Sequence, residues 1–481
     1  MITADRMNAV DRNAAALGVS QRQLMESSGN AIARVVRTMA DPGDSVVIVC
    51  GRGNNGGDGF VAARFLEDYD VAVRLVGAPD RISTDIAADN WDVVTKLEQD
   101  HAVWADSTAI SIDAPDLIVD ALVGTGVSGA LREPVATAVR TINASSARVL
   151  AVDTPSGIDP DTGVNDGIAV EADRIVTFHK NKPGLVDVDV PVVVADIGIP
   201  QAAERFVGPG DLQSFDRAPE SHKGDAGRIV IIGGGPYTGA PALSGMAAMR
   251  VGADLAIVAC PAAIADTIQS YTPDLIVRSL PGERFGLDGV AKALDLAENA
   301  DAVVLGPGLG DHPETMNAVK DFLTQFGGRC VVDADALAVI PEVQTSATLL
   351  CTPHQGELAA MGGPRESNWE KRMEALERFV AEFGHTILLK GRYDIISDGT
   401  NTRVNRTGNP GMTVGGTGDV LAGVCASIFA NADRSAVQAG AMGAYVTGIA
   451  GDSAAVANGH GLTATDVMGE LSPSIWGQTH E

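Results

Sequence analysis

The chain has 481 residues, 45% of them hydrophobic and 20% charged, which suits two or three globular domains and excludes wholesale disorder. Asp and Glu outnumber Lys and Arg by 62 to 35, a net charge of −27, and so acidic a surface repels nucleic acid and anionic membranes. No window of about 18 residues is both apolar and uncharged, so no membrane span is expected.

The opening segment, MITADRMNAVDRNAAALG, carries charges throughout and lacks the apolar stretch of a secretory signal, so the expected location is the cytoplasm. Only eight of the 35 basic residues are Lys. Excess acid, little Lys and much Ala and Gly fit a protein adapted to concentrated salt, where the Debye length falls to ~3 Å at 1 M. An ordinary acidic cytosolic protein is the plainer alternative. The five cysteines (Cys50, Cys260, Cys330, Cys351, Cys425) form no C-x-x-C pair and read as buried free thiols.

Residues 3–40 read as two helices. Ser45–Cys50, Val71–Val76, Leu117–Val119, Arg148–Val152, Arg174–Thr177 and Val192–Ala195 then read as strands, with amphipathic stretches such as Gly59–Tyr69 and Ile86–Glu98 between them. Strands alternating with helices predict a parallel sheet covered on both faces. Residues 198–222 lose that rhythm and gather Pro, Gly, Asp and Ser, which places a boundary between domains of residues 1–212 and 213–481. A second α/β series follows. Its strand candidates are Arg228–Ile232, Leu255–Ala259, Ala302–Leu305, Cys330–Val332, Thr348–Cys351, Thr386–Leu389 and Asp394–Ser397. It closes on the Ala/Gly-rich helical stretches Asp419–Asn431 and Ala436–Asn458. The latter suits either an interface between copies or internal packing.

Directly after the first strand comes Gly51-Arg52-Gly53-Asn54-Asn55-Gly56-Gly57-Asp58-Gly59. Glycines between a strand and a helix let a ligand approach the backbone, and the helix start supplies N–H donors. The spacing is neither a Walker A loop nor a regular dinucleotide fingerprint. Two further strand ends run into Asp120-Ala121-Leu122-Val123-Gly124-Thr125-Gly126 and Asp153-Thr154-Pro155-Ser156-Gly157. Parallel sheets bind ligands outside the carboxyl ends of their strands. Asn55, Asp120, Asp153 and Ser156 therefore share one edge, and their oxygens suit a hard cation. Each Asp alone reads equally as a cap or turn former; three such loops on one edge favour a site.

These motifs resemble the N-terminal, epimerase domain of the bifunctional NAD(P)H-hydrate repair enzymes, a Rossmann-like three-layer fold, from about Met7 to Ile199. The resemblance implies that Asn54, Asn55, Gly56, Gly57 and Asp58 hold the nicotinamide nucleotide with Gly124, Thr125, Gly126, Val127, Ser128, Gly129 and Ala130. It implies K⁺ at Asn55, Asp120 and Ser156, and Asp153 beside the reacting ring as general acid/base. Ser28 and Val123 stand where that family usually carries Ala and Phe; neither is an implied ion ligand.

In the second half, Pro410-Gly411-Met412-Thr413-Val414-Gly415-Gly416-Thr417-Gly418-Asp419 joins a glycine loop to a carboxylate at a helix start. Backbone N–H groups and the helix dipole stabilise a transferring phosphoryl group, and Asp419 can take the proton of an attacking hydroxyl. The loop resembles the ribokinase-like kinases. With Ser221-His222-Lys223-Gly224, Tyr237-Thr238-Gly239-Ala240-Pro241, Leu305–Gly310, Thr352-Pro353-His354-Gln355-Gly356-Glu357 and Leu389-Lys390-Gly391, the stretch 221–473 is similar to the NAD(P)H-hydrate dehydratases, a ribokinase-like α/β domain. The resemblance implies that Ala240, Gly308, His354 and Asp419 contact the hydrated cofactor. Lys390, Gly391, Arg392, Tyr393, Asp394 and Gly418 would contact the adenine nucleotide, and Gly415, Gly416, Thr417 and Gly418 would form the anion cradle with Asp419 as base. It also implies Mg²⁺ on the phosphates and NADHX and NADPHX as substrates, with Glu357 as a candidate to hold the ion through water; prokaryotic-type members use ADP and eukaryotic ones ATP, and the salt-adapted composition favours ADP as phosphoryl donor. His354 alone reads equally as a turn former, and Lys390 as a salt-bridge partner. The competing reading is a ribokinase-like small-molecule kinase whose N-terminal domain binds a nucleotide without catalysis.

Overall fold

The computed structural model describes residues 1–477 apart from 98, 125, 127–128, 213–214, 216–219 and 223. The chain forms two compact units, Met1–Ala203 and Glu204–Glu481. In the first, strands β1 (Ser45–Cys50), β2 (Asp70–Val76), β3 (Asp100–Trp104), β4 (Leu117–Ala121), β5 (Arg148–Val152), β6 (Arg174–Phe178) and β7 (Val192–Ala195) form one sheet in the order 3-2-1-4-5-6-7. Every pairing is parallel. The helices are α1 (Ala4–Ala16), α2 (Gln21–Val36), α3 (Asn54–Arg64), α4 (Asp85–Lys96) and α5 (Val135–Asn143), with a short α6 (Gln201–Arg205) across the division. Alternate residues of β1 separate two cores. Val46, Ile48 and Cys50 pack with α2 and α3, and Val47 and Val49 with α5. This is the period of two of a strand covered on both faces. The result is the expected three-layer Rossmann-like unit.

The second unit contains β8 (Arg228–Ile232), β9 (Leu255–Pro261), β10 (Ile276–Leu280), β11 (Ala302–Leu305), β12 (Arg329–Val332), β13 (Thr348–Cys351), β14 (Thr386–Leu389), β15 (Asp394–Ser397) and β16 (Thr402–Asn405). They lie in the order 10-9-8-11-12-13-14-15-16. Pairing is parallel as far as β14, then antiparallel through β15 and β16. Its helices are α7 (Gly239–Arg250), α8 (Ala265–Gln269), α9 (Leu287–Ala297), α10 (Pro313–Gln325), α11 (Gln355–Ala360), α12 (Trp369–Phe383), α13 (Thr417–Phe429), α14 (Ala436–Asn458) and α15 (Ala464–Trp476). One face of the sheet packs on α7, α13, α14 and α15, and the other on α9, α10 and α12. A Cβ on Gly423 would lie 2.0 Å from the Ser244 carbonyl oxygen, so α13 and α7 touch backbone to backbone. The small residues of α14 serve the same internal packing: a Cβ on Gly443 would meet Cys425 Sγ at 2.5 Å.

Residues 204–212, which by composition read as part of a linker, belong to the second unit. Val207 N–H donates to the Val404 carbonyl at 2.9 Å, extending the sheet past β16, and Asp211 Oδ1 accepts from Arg403 Nη1 at 2.8 Å. The expected boundary at 212/213 falls beyond this contact, and Gln213 lies outside the described residues. All five cysteines are buried free thiols. Among the described residues no helix is long and apolar enough to cross a membrane.

Candidate active sites

In both sheets the strand order reverses beside the first strand, between β1 and β4 and between β8 and β11. A crevice opens at such a switch point. In the first unit it is a cavity of about 1110 Å³, lined among others by Asn54, Asn55, Asp58, Gly124, Gly126, Gly129, Ala130 and Asp153. Thr125, Val127 and Ser128 lie outside the described residues. The expected loop 54–58 is in fact the first turn of α3, with Gly53 as its extended N-cap. The glycines divide by task. A Cβ on Gly56 would sit 2.0 Å from the Gly51 carbonyl oxygen, and one on Gly57 2.6 Å from Met25 Cε. These two hold α3 against its surroundings and leave the cavity to Asn54, Asn55 and Asp58.

Asp153 ends β5 with a left-handed φ of 63°, a conformation costing a non-glycine residue ~1–3 kcal/mol. Its Oδ1 accepts from Lys182 Nζ at 2.6 Å and from Thr177 Oγ1 at 3.1 Å. Lys182, 1% exposed, also donates to Thr177 Oγ1 at 2.9 Å and to the Phe178 carbonyl at 3.2 Å, which uses all three ammonium protons. The pair fixes one carboxylate oxygen of Asp153 and leaves the other without a hydrogen-bond partner among the described residues. Asp58 and Asp11 face the same cluster. Burial, then the charge of Asp153, pushes Asp11 up to about 6, against the pull of Lys182. The same causes, with Asp11 added, push Asp58 well above the carboxylate range. Sequence reasoning missed Asp11 and Lys182. The signal available was the rarity of Lys and its place just beyond a strand.

Asp120 is completely buried at the end of β4. Its Oδ1 accepts from Ser156 Oγ at 2.7 Å and Leu122 N at 3.2 Å, and its Oδ2 from Ser156 N at 2.9 Å. Burial still raises its carboxyl to about 6. Asn55, 8% exposed, has both side-chain polar atoms sealed and unbonded among the described residues. A buried carboxylate without a cationic partner and an orphaned amide are what a bound cation would satisfy. By chemistry, the oxygens of Asn55, Asp120 and Ser156 suit a hard cation.

In the second unit Asp419 stands in the first turn of α13, behind Gly416 at φ 97°. Burial, then the carboxylate of Asp333, pushes Asp419 up to about 7, with Lys390 opposing. Ser244 Oγ donates to the Asp419 carbonyl at 2.9 Å and ties this turn to α7. Lys390 Nζ would lie 3.5 Å from a Cβ on Gly418, so the ammonium sits at the cradle. It is held there by Asp333 Oδ1 at 2.8 Å, which also accepts from Thr352 Oγ1 at 2.7 Å. Burial alone would lower the ammonium; Asp333 and Glu357 instead hold it above its ordinary value. Asp333 was missed, though it follows β12 directly, as Asp153 follows β5.

The remaining residues separate. Gly308, at φ 72°, and Ala240 adjoin, since a Cβ on the glycine would lie 3.3 Å from Ala240 Cβ. His354 caps α11: its Nδ1 accepts from Gly356 N at 2.9 Å and Glu357 N at 3.1 Å, which puts a ring proton on Nε2. The turn-forming reading of His354 is thus the one the geometry displays, and the cap leaves Nε2 exposed. Glu357 returns Oε2 to His354 N at 2.7 Å. Gly415 stands open, while Thr417 Oγ1 donates to the Met412 carbonyl at 2.9 Å and braces the cradle. Gly391 N–H donates to Asp394 Oδ1 at 2.9 Å, and Asn405 Nδ2 occupies Oδ2 at 3.0 Å, so Asp394 closes its own turn. Arg392 lies 5.3 Å from the ring centroid of Tyr393, which stacks on Trp369 at 5.0 Å.

Comparison with known proteins agrees with this division. The sequence model of the NAD(P)H-hydrate dehydratases matches residues 229–473, and that of the YjeF-related protein N-terminus matches residues 21–184. The bifunctional NAD(P)H-hydrate repair enzyme of Methanothermobacter thermautotrophicus is 42% identical, over 98% of this chain and 94% of its own. That of Archaeoglobus fulgidus is 40% identical over 98% of both. A solved ribokinase-like protein from Enterococcus faecalis is 26% identical with a TM-score of 0.50, covering 56% of this chain and 95% of its own. With two family matches in this order and relatives matched nearly end to end, the chain belongs to the bifunctional NAD(P)H-hydrate repair enzymes.

Proposed function

We propose that the first unit interconverts the R and S forms of hydrated NAD(P)H, and that the second dehydrates the S form with ADP, releasing AMP and phosphate. The observation that carries this is the pair of acids at the two sheet edges. Asp153 has one oxygen fixed by a buried lysine, and Asp419 is tuned to about 7 at a glycine cradle. In the first site Asp153 moves a proton at the C6 hydroxyl. In the second, Asp419 takes the proton of that hydroxyl as it attacks the β-phosphate of ADP, while the Gly415–Gly418 amides and Lys390 hold the phosphoryl oxygens. Loss of phosphate from C6 then restores the nicotinamide double bond. The kinase alternative is set aside because it leaves the first unit's cavity and acids without a reaction.

Asn55, Asp120 and Ser156 would hold K⁺, whose charge would offset that of buried Asp120. Among the described residues no group of three acidic, His or Cys side chains forms a metal cage. Mg²⁺ therefore suits binding mainly through nucleotide phosphates and water, with Glu357 Oε1 as an outer partner. The setting for these small-molecule substrates is the cytoplasm.

The test is recovery of nicotinamide absorbance from mixed R/S NADHX at high K⁺ and Mg²⁺, with ADP, ATP or no nucleotide. Full recovery with ADP is expected. Asp153→Asn should stall when the S form is exhausted, and Asp419→Asn should recover nothing while still interconverting the epimers. No recovery by folded wild-type protein with either nucleotide would overturn the reading.

A further inference from the structure

We propose that Asp11 is a second catalytic residue of the first site, serving the C6 face of the hydrated ring that Asp153 does not serve. The inference rests on the epimerase reading above. Inverting C6 requires a hydroxyl to leave one face and return to the other, and one carboxylate fixed in place reaches one face. Asp153 is so fixed, by Lys182 at 2.6 Å and Thr177 at 3.1 Å. Asp11 reaches the same cavity from a different element, α1. Its Oδ1 is shielded from solvent and bonded to nothing among the described residues. A shielded carboxyl oxygen without a partner costs stability unless something occupies it in the working state.

The charged groups facing Asp11 are Asp153 and Lys182, from the loops after β5 and β6, and Asp58 from α3. Burial, then the charge of Asp153 against the pull of Lys182, leaves Asp11 at about 6, able to carry a proton or release it near neutral pH. Burial, then the charges of Asp153 and Asp11, raises Asp58 as well, which favours its protonated form. The two acids thus divide the work. Asp11 gives its proton to the C6 hydroxyl. The C6–O bond breaks, its electron pair leaves with water, and the N1 lone pair forms N1=C6. Water then adds to the opposite face, the N1=C6 pair returns to N1, and the proton lost goes to Asp153. Starting from the other epimer, the roles exchange, and solvent restores the starting protonation.

The experiment follows inversion and uptake of ¹⁸O from labelled water at C6, in the full chain carrying Asp11→Asn. Inversion should fall ~10²–10⁴-fold at little-changed KM. Exchange of label without inversion should persist for the epimer whose hydroxyl faces Asp153. Asp11→Glu should restore part of the inversion, which separates lost chemistry from lost folding. Inversion by Asp11→Asn at the wild-type rate would overturn the proposal, as would joint loss of inversion and exchange that Asp11→Glu does not restore. If the wild-type chain does not invert above the uncatalysed rate, the epimerase reading itself fails.

Discussion

In the first unit lysine and the proposed catalytic carboxylate are bonded to each other; in the second a third group stands between them. Lys182 donates a hydrogen bond to Asp153 directly, at 2.6 Å, inside the protein. Lys390 is bonded to Asp333 at 2.8 Å, and Asp419 stays outside that pair. The consequence is opposite electrostatics from similar parts. In the first site the unpaired neighbours, Asp11 and Asp58, are pushed upward. In the second it is Asp419 itself, at about 7. Each unit thus has acids able to exchange protons near neutrality: Asp419 in the second, and in the first Asp120 at the end of β4 and Asp11 beside Asp153, of which Asp11 alone lies outside the sequence motifs.

The largest expected effect that would break this comparison is on stability. Lys182→Met strips Asp153 of the cation bonded to it, and removing one partner of a buried pair costs ~3–5 kcal/mol. Lys390→Met should cost less, since its side chain is 21% exposed against 1% for Lys182, and Thr352 still donates to Asp333. Hydrogen exchange under increasing urea, read separately in β5 and β12, measures both. Equal losses would mean that the two pairs are wired alike.

A smaller effect sharpens the comparison through pH. Asp419 must be ionised to accept a proton, so dehydration should rise with pH through about 7 and level off above it. Asp333→Asn removes the neighbouring charge that disfavours ionisation. Its rising limb should move to lower pH, by on the order of one unit. Asp333 touches Lys390 and not the expected position of the reacting hydroxyl, so it is a positioning residue. A rate loss at every pH with an unmoved limb would show that it only supports the fold. The limb for epimerisation should lie lower, where Asp11 titrates, and should be indifferent to Asp333→Asn.

Much of this was legible in the sequence because strand cores and glycine turns write themselves locally. Largely buried apolar runs such as Ser45–Cys50 and Thr348–Cys351 match their strands residue for residue. The strands missed, β3, β10 and β16, are all at sheet edges, where half-exposed residues such as those of Asp100–Trp104 blur the apolar run. β7 is also an edge, and its valines betrayed it. The same divide holds for the sites. Asp153, Asp120 and Asp419 lie in motifs, whereas Lys182, Asp11 and Asp333 matter through partners distant in the chain: 29 residues separate Lys182 from Asp153, and 57 separate Lys390 from Asp333. Spacing does not reveal those pairings, because they depend on which strand ends the topology brings together.

The smallest effect concerns the helices that begin at the two sites. α13 ends under Arg329, whose Nη1 donates to the carbonyl of Phe429 at 2.6 Å and whose Nη2 donates to that of Ala432 at 2.6 Å. Its guanidinium also lies 5.1 Å from the Phe429 ring centroid. A cation bonded to the last carbonyls of a helix stabilises it by up to ~2 kcal/mol. In α3 the last-turn cation, Arg64, turns instead to Glu26, a partly exposed pair worth ~0–1 kcal/mol. Arg329→Ala should therefore destabilise its unit by ~1–2 kcal/mol in urea, and Arg64→Ala by less. Neither should move the pH limb of its own site, because a terminal charge acts within about one turn, and Asp419 lies at the far end of the 13 residues of α13. A shifted limb in Arg329→Ala would mean that the whole helix, and not the four-residue cradle with Asp333 and Lys390, sets the proton affinity of Asp419.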